Sequence, residues 1–410
     1  MSGGICSIIS AALVAMGITF GIMPFLLDFC RKRGYYDLPG GRKVHHCAIP
    51  RLGGLLFMPS MLVALVSVLI LSSSWWQGVL TLKVSSLAMA VGAFLIYIIG
   101  TVDDLVGMKP NHKFAVQLVA ALLMPFCGLL INNFYGLFGL HELPVWFSYP
   151  FTVFVILLVV NSINLIDGIV GLASGLCIFI LAAYIFLYLQ MERTFVYALV
   201  ASGLLGSLVA FFYFNMWGKA EKGTKTFMGD SGSLFLGYAI AYLSIKYATN
   251  NPVVLPYRGD ALLISYTLLI VPTFDVIRVA LFRLYRGKPI FEADKSHIHH
   301  LVMAAGFSMH QAWAVIMGLF LFFCGLNAAL YVWGVSDTWI VVLDVLSYGL
   351  FHVAMYLCSK CLTWYTWFGR LSELGKTKAF QVLAERLFSY LLSLKSGALI
   401  SHNLPSGFRG

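Results

Sequence analysis

Charge is what this sequence has least of. Aspartate, glutamate, lysine and arginine make up 11% of its 410 residues against 60% hydrophobic ones, and mean hydropathy is +0.88. A soluble globular domain carries about a quarter charged residues, so a water-exposed globule is excluded. No hydrophilic domain, low-complexity tract or repeat at the roughly 20–50-residue periods of solenoids stands out. Any chemistry must therefore sit on membrane helices and the loops between them. The eight cysteines are scattered, and the one CxxC pair, Cys358 and Cys361, has no second pair to complete a metal site. The first apolar run has no basic leader and no small-residue cleavage site, and "FCRKRGYY" follows it, so an uncleaved helix is expected rather than a signal peptide.

What the chain does have is long apolar runs. A bilayer core takes about 20 apolar residues per helix, because lipid offers no partner for an open backbone hydrogen bond. Runs of that kind lie near residues 7–29, 53–71, 84–101, 114–132, 145–161, 168–190, 195–215, 232–249, 260–282, 312–333 and 338–358. They predict an all-α, polytopic integral membrane helix bundle of about eleven transmembrane helices. The runs at 145–161 and 232–249 are the shortest on signal. Trp75 and Trp76 suit an interfacial anchor.

Loops rich in lysine and arginine stay in the cytoplasm. With residues 30–52 inside, 23 of the 27 basic residues fall on that side, leaving Lys83, Arg193, Lys246 and Arg258 outside. The N-terminus is then expected to be periplasmic and the C-terminus cytoplasmic. The net charge of +10 is absorbed by this asymmetry and by anionic headgroups, so no nucleic-acid partner is expected. Residues 1–361 read as a transmembrane catalytic domain with cytoplasmic loops, and residues 362–410 as a cytoplasmic tail. Within the tail, "KAFQVLAERLFSYLLSLK" at 378–395 puts Phe380, Leu383, Leu387, Leu391 and Leu394 on one stripe, which suits an inner-leaflet amphipathic helix or a homodimer contact.

Ionisable residues in or beside membrane helices are costly and mark functional sites. Here they gather at the inner helix ends: Asp103 and Asp104 after the third span, Asn161, Asn164 and Asp167 in "NSINLIDG", Asp230 in "FMGDSGS", and Asp275 on the ninth span. Asp230 alone could cap its own helix, accepting from the first-turn amides. Four carboxylate sites at one level are harder to explain by capping. A few carboxylates with waters and substrate phosphates are how Mg2+ is usually held. Asn161, Asn164 and Asp167 stand three apart, within about a third of a helix circumference, and could reach one ligand together or tie helices to each other. The longest inner loop carries His297, His299 and His300, suited to phosphate alongside Arg283, Arg286, Lys288 and Lys295, or to a soft metal. Together these parts fit phosphoryl transfer between a membrane lipid and a soluble nucleotide.

The runs "YDLPGGRKVHHCAIPRLGG", "DDLVGMKPNHKFAVQ", "NSINLIDGIVGLASG", "FMGDSGS" and "DKSHIHH" resemble, in order, the signatures of the polyprenyl-phosphate N-acetylhexosamine-1-phosphate transferases, across roughly residues 35–310. The resemblance implies a bacterial inner-membrane enzyme that transfers a sugar 1-phosphate from a UDP-sugar to undecaprenyl phosphate, releases UMP and requires Mg2+ or Mn2+. It implies metal binding by Asp230 with Asp104 and Asp167. Asp103, Asp104, Asp167 and Lys113 become the catalytic candidates, one of the acidic pair often being assigned to deprotonating the lipid phosphate. Asn161, Asn164, Phe227, His297, His299, His300, Arg42 and Lys43 become substrate-binding candidates, Phe227 packing on the uracil. Val170 departs from the family, standing where a second acid of "NLIDGIDGLA" is common. Ile298 breaks the contiguous histidines usual in phospho-MurNAc-pentapeptide transferases. This favours the branch using UDP-GlcNAc or another UDP-HexNAc to start O-antigen, lipopolysaccharide, capsule, teichoic acid or glycoprotein glycans. Direct attack by the lipid phosphate is preferred over a phospho-aspartyl enzyme. The rival class, a transporter, would place charges near the midplane and repeat its topology, and this chain does neither.

Overall fold

The computed structural model describes residues 2–37, 48–71, 84–190, 192–252, 256–289 and 296–374. Arg42, Lys43, Trp75, Trp76 and the amphipathic stripe at 378–395 lie outside these residues. The chain forms two compact units, residues 1–351 and 352–410. The first carries the site.

In chain order the helices are α1 (Ser2–Arg33), α2 (Phe57–Leu71), α3 (Val84–Val106), α4 (Pro110–Phe126), α5 (Val145–Ile166), α6 (Leu172–Leu189), α7 (Phe195–Met216), α8 (Gly229–Ala248), α9 (Ala261–Tyr285), the short α10 (Ile298–Ala304), α11 (Met309–Val332) and α12 (Asp337–Leu374). Each apolar run expected to span the membrane coincides with one of the long helices. Two short antiparallel strands, β1 (Tyr36–Asp37) and β2 (Ile49–Pro50), pair Tyr36 with Pro50 and Asp37 with Ile49. Local chemistry sets several starts. Pro110 opens α4, where a missing N–H costs nothing. Ser308 and Gln311 cap α11 reciprocally, each side chain bonded to the other's backbone N–H.

Among the described residues, nine helices are long and apolar enough to cross a membrane. The two long helices outside that set are α4, which has 17 residues, and α8. In α8, glycine, serine, tyrosine and Lys246 dilute the apolar residues, yet every residue from Ser231 to Ala248 is buried. Protein rather than lipid surrounds it, chiefly α3, α5, α6 and α9. Its solvent is a set of neighbouring backbones and hydroxyls. Tyr238 donates to the Ala120 carbonyl at 2.9 Å, Tyr188 to the Leu243 carbonyl at 2.6 Å, and Tyr184 bonds Ser244 at 2.7 Å.

Close approach to α8 is made possible by small residues. Gly54 lies so near Gly232 that a Cβ on either would overlap the other's backbone, and a Cβ on Gly100 would stand 2.7 Å from the Asp230 carbonyl oxygen and from Ser231 Cα. Away from α8, a buried polar clamp ties three helices. Asn327 on α11 donates to Thr267 on α9 and to the Asp344 carboxylate on α12, both at 2.9 Å. Asp344 is fully buried, an exception to the rule that this chain's acids lie at helix ends.

Because the α3–α8 contact leaves no room for a side chain, Gly100→Ala should lower the thermal midpoint of the detergent-solubilised protein by the equivalent of about 1–3 kcal/mol. Gly318→Ala on α11, where nothing lies within 4 Å, should leave it unchanged.

Candidate active site

The site is assembled by stitching distant runs together. Past β2, residues 50–54 lie alongside residues 226–228. Phe227 N and Thr226 Oγ1 both donate to the Pro50 carbonyl, at 2.8 and 3.0 Å, while Gly53 N donates to Phe227 O at 3.0 Å and Gly54 N to Met228 O at 2.8 Å. "PRLGG" and "FMGDSGS" are thereby neighbours. Gly229 then turns the chain into α8 with φ of +75°. A Cβ there would strike the Arg51 carbonyl and the Asp104 carboxylate, so both the backbone angle and the space require glycine.

Asp104, near the C-terminal end of α3 and only 3% exposed, accepts from Asp230 N at 2.9 Å and Ser231 N at 2.8 Å. The first turn of α8 is thus capped from another helix. The alternative that Asp230 caps its own helix is not what the structure shows: no side chain of α8's own start makes a cap hydrogen bond. Relieved of that duty, the Asp230 carboxylate faces Lys113, at 2.9 Å, and accepts from Asn164 Nδ2 at 2.5 Å. Asn164 also donates to Ser233 Oγ, which donates in turn to the Gly229 carbonyl. Asp103 accepts from Lys113 Nζ at 3.0 Å and from Met108 N at 2.7 Å. Lys113 therefore bridges two carboxylates.

Asp104, Asn164, Asp167, Phe227, Asp230, His299 and His300, all expected site residues, line one cavity of about 360 Å³ together with Asp37, Arg51, Val170, Asn215 and Ser233. Asp167, just past the end of α5, is half-buried there. Burial, with the neighbouring charges of Asp230 and Asp104, holds its carboxyl well above the usual carboxylate range. Asp103 and Lys113 are not part of this wall; they stand behind Asp230. Asn161 is also not part of it. Its amide donates to Gln117 Oε1 on α4 at 2.9 Å and to the Leu157 carbonyl. Three-residue steps drift about 60° around a helix, so across two such steps Asn161 has turned toward α4. Of the two roles open to it, helix tying is the one seen.

The histidines divide in the same way. His297 Nδ1 lies 2.8 Å from Asp275, which also accepts from Ile298 N at 2.9 Å and from Arg278 at 2.8 Å. Arg278 in turn donates to the Ser296 carbonyl. His297 is an anchor rather than a cavity residue. His299 and His300 are the two presented to the cavity. The His299 ring packs against Gly168, where any Cβ would overlap it. Burial and the adjacent His300 push its pKa down to about 3, so it is neutral at physiological pH.

Sequence reasoning missed several of these residues. Arg51 was visible only as one basic residue among many, and Asn215 as a lone carboxamide ending α7. Asn215 donates to Thr226 O and accepts from Gly171 N, both at 2.8 Å, joining the "GIVG" turn to the "FMGD" run. Gln117 could have been found as the only carboxamide on α4's apolar face.

Among the described residues no three His, Cys, Asp or Glu side chains converge into a ready-made ligand set. The donor chemistry nevertheless fits a hard divalent cation. Asp104, Asp167 and Asp230 share one cavity, burial and then the neighbouring like charges raise Asp167, and no hydrogen bond satisfies the Asp167 carboxylate among the described residues.

The family model described as "Glycosyl transferase family 4" matches residues 86–248, which hold Asp103, Asp104, Lys113, Asn164, Asp167 and Asp230. The chain is 33% identical over 314 residues to a Bacillus subtilis (strain 168) protein named "Probable undecaprenyl-phosphate N-acetylglucosaminyl 1-phosphate transferase", covering 75% of this chain and 81% of that one. It is 29% identical over 288 residues to a Yersinia pestis "Undecaprenyl-phosphate alpha-N-acetylglucosaminyl 1-phosphate transferase", covering 70% and 74%. A protein of the same name from Escherichia coli (strain K12) is 25% identical over 297 residues, covering 71% and 75%.

The Asp275 node makes a separable prediction. Asp275→Asn should weaken the hold on α10 by about 1–3 kcal/mol, read as faster hydrogen exchange at Ile298 and His299 with α9 exchange unchanged. Unaltered protection at Ile298 would remove Asp275's anchoring role.

Proposed function

Since the chain belongs to glycosyl transferase family 4, we propose that it transfers GlcNAc-1-phosphate from UDP-GlcNAc to undecaprenyl phosphate, releasing UMP and starting a cell-surface glycan such as O-antigen lipopolysaccharide. The reaction takes place at the cytoplasmic face of the bacterial inner membrane, with the N-terminus periplasmic and the C-terminus cytoplasmic. The observation that carries this reading is the meeting of Asp104, Asp167 and Asp230 with Phe227, His299 and His300 in one cavity. An enzyme joining a soluble nucleotide to a lipid needs acids, a base platform and phosphate donors at that place. A second, almost wholly apolar cavity of about 230 Å³ supports the lipid half. Phe151, Val155 and Leu158 of α5 and Leu269, Phe274 and Ile277 of α9 line it, giving a polyprenyl chain apolar walls.

Asp104, Asp167 and Asp230 are the residues that would hold Mg2+ (or Mn2+), which when bound neutralises diphosphate charge and polarises the phosphorus under attack. The chain's own groups do the rest. Phe227 offers a face for the uracil. Neutral His299, with His300, donates to phosphate oxygens as charge accumulates there. Asn164 and Lys113 hold the Asp230 carboxylate in one orientation from opposite oxygens. A lipid phosphate oxygen forms the new bond to the sugar-bearing phosphorus, and the bond from that phosphorus to the bridging oxygen breaks, the oxygen leaving with UMP.

Asp103 and Asp104 are both engaged, the one by Lys113 and Met108, the other by two amides. That occupancy favours direct attack without a dedicated base. A phosphate monoester has its second pKa near about 6, so the acceptor already arrives largely as the dianion.

Purified protein given undecaprenyl phosphate, Mg2+ and a panel of UDP-sugars should release UMP with UDP-GlcNAc and cease to do so with chelator. No UMP from any donor, with the fold intact, overturns the reading. Asp230→Asn should lower turnover by at least about 100-fold while undecaprenyl phosphate still binds. Val170→Asp, at a cavity position only 6% exposed, should change the order of preference among donors in the same panel.

A further inference from the structure

One cation in the cavity has no assigned duty. Lys113 is shared between Asp103 and Asp230, and Arg278 between Asp275 and the Ser296 carbonyl. Arg51 lines the cavity, yet its side chain makes no hydrogen bond or ion pair with any described residue. Its Nε is enclosed and without a partner. An arginine does not escape such a position by losing its proton. Nor is it without carboxylates nearby, since Asp37, Asp104, Asp167 and Asp230 line the same cavity.

Backbone stitching fixes where Arg51 stands. Arg51 sits between Pro50, whose carbonyl accepts two hydrogen bonds, and Gly53 and Gly54, whose amides each donate one. Its own carbonyl is pressed against Gly229. The backbone at Arg51 is therefore held in place, and Asp104 and Asp230 are engaged by other donors. Its position is fixed beside Phe227 and at the start of α8, with a planar fork of N–H groups left for a ligand. Such a fork matches the paired oxygens of a phosphate or a carboxylate, and in a cavity read as a phosphoryl-transfer site the phosphate is the ligand it would meet.

Resting on the phosphoryl-transfer reading of this cavity, we propose that Arg51 is a substrate-binding residue that grips a phosphate oxyanion, either of the donor diphosphate or of the lipid acceptor. It supplies the fixed positive charge that the acid-rich wall lacks. Its planar fork also orients the phosphate, which a lysine at this position would do less well.

Thermal stabilisation of the full-length protein in detergent, with inorganic pyrophosphate and with undecaprenyl phosphate as separate probes, tests this directly. Wild type should be stabilised by at least one of them, and Arg51→Met should lose that stabilisation while its unliganded midpoint stays near wild type. Loss with pyrophosphate alone assigns Arg51 to the donor side, and loss with undecaprenyl phosphate alone to the acceptor. In turnover assays the KM of the assigned substrate should rise about tenfold or more, with kcat changing less, and Arg51→Lys should recover part of the loss. If Arg51→Met does not fold, Arg51→Lys decides by the same measurements. Stabilisation and both KM values unchanged in the folded variant overturn the proposal, as does a wild type that neither probe stabilises. A wild type that binds pyrophosphate but releases no UMP would overturn the transferase reading and leave the anion site standing.

Discussion

The carboxylate of Asp104 holds the first turn of α8, and the rest of the site is arranged around that contact. Two amides at a helix N-terminus are strong donors to a buried anion, because they are unsatisfied within the helix and lie at the positive end of its dipole. Meeting that need from α3 instead of from within α8 has two effects. It locks the C-terminal end of α3 to the N-terminal end of α8, with Gly100 allowing the backbones to touch. It also leaves the Asp230 carboxylate, one residue into the helix, to line the cavity, where Lys113 and Asn164 hold it.

Charge is then distributed economically. Five acids in one region would repel strongly in a poorly solvated place. Asp103 and Asp230 share Lys113, Asp104 has its amides, and Asp275 has Arg278 and His297. Asp167 alone of these is left without a hydrogen bond among the described residues, and burial, with the charges of Asp230 and Asp104, raises its carboxyl. Arg51, in the same cavity, is equally uncommitted. An acid without a hydrogen bond and an arginine without a partner, in one cavity, are the two features on which the proposed metal and phosphate roles rest.

α8 shows how a bundle can place polar chemistry at membrane depth. Lipid tolerates no unpaired backbone or hydroxyl group, so a helix carrying Ser231, Ser233, Tyr238 and Ser244 has to be wrapped in protein. Each of its neighbours contributes a carbonyl, a hydroxyl or simply a glycine's missing side chain. Lipid-facing residues can then remain apolar on the outer helices, as the exposed Phe25, Ile70 and Leu350 are. The buried Asp344–Asn327–Thr267 clamp does for α9, α11 and α12 what Asp104 does for α3 and α8.

Each long helix coincides with an apolar run read from the sequence, and for nine of them among the described residues the reason is local, a stretch long and apolar enough to cross a membrane. The clustering of acids at one level was legible too, since helix ends carry their depth with them. What one chain position could not reveal was direction. Asn161 and Asn164 are the same residue type three apart, and only the placement of Gln117 on α4 and of Asp230 on α8 sends one to a helix seam and the other to the cavity. His297 and His299 differ for the same reason, with Asp275, 22 residues away in the chain, capturing the first. Arg51 gained its meaning only when residues 50–54 were laid against residues 226–228. Hydropathy determines that a segment is buried in the membrane; which neighbour each polar group meets is set by helix packing, where contacts link residues far apart in sequence.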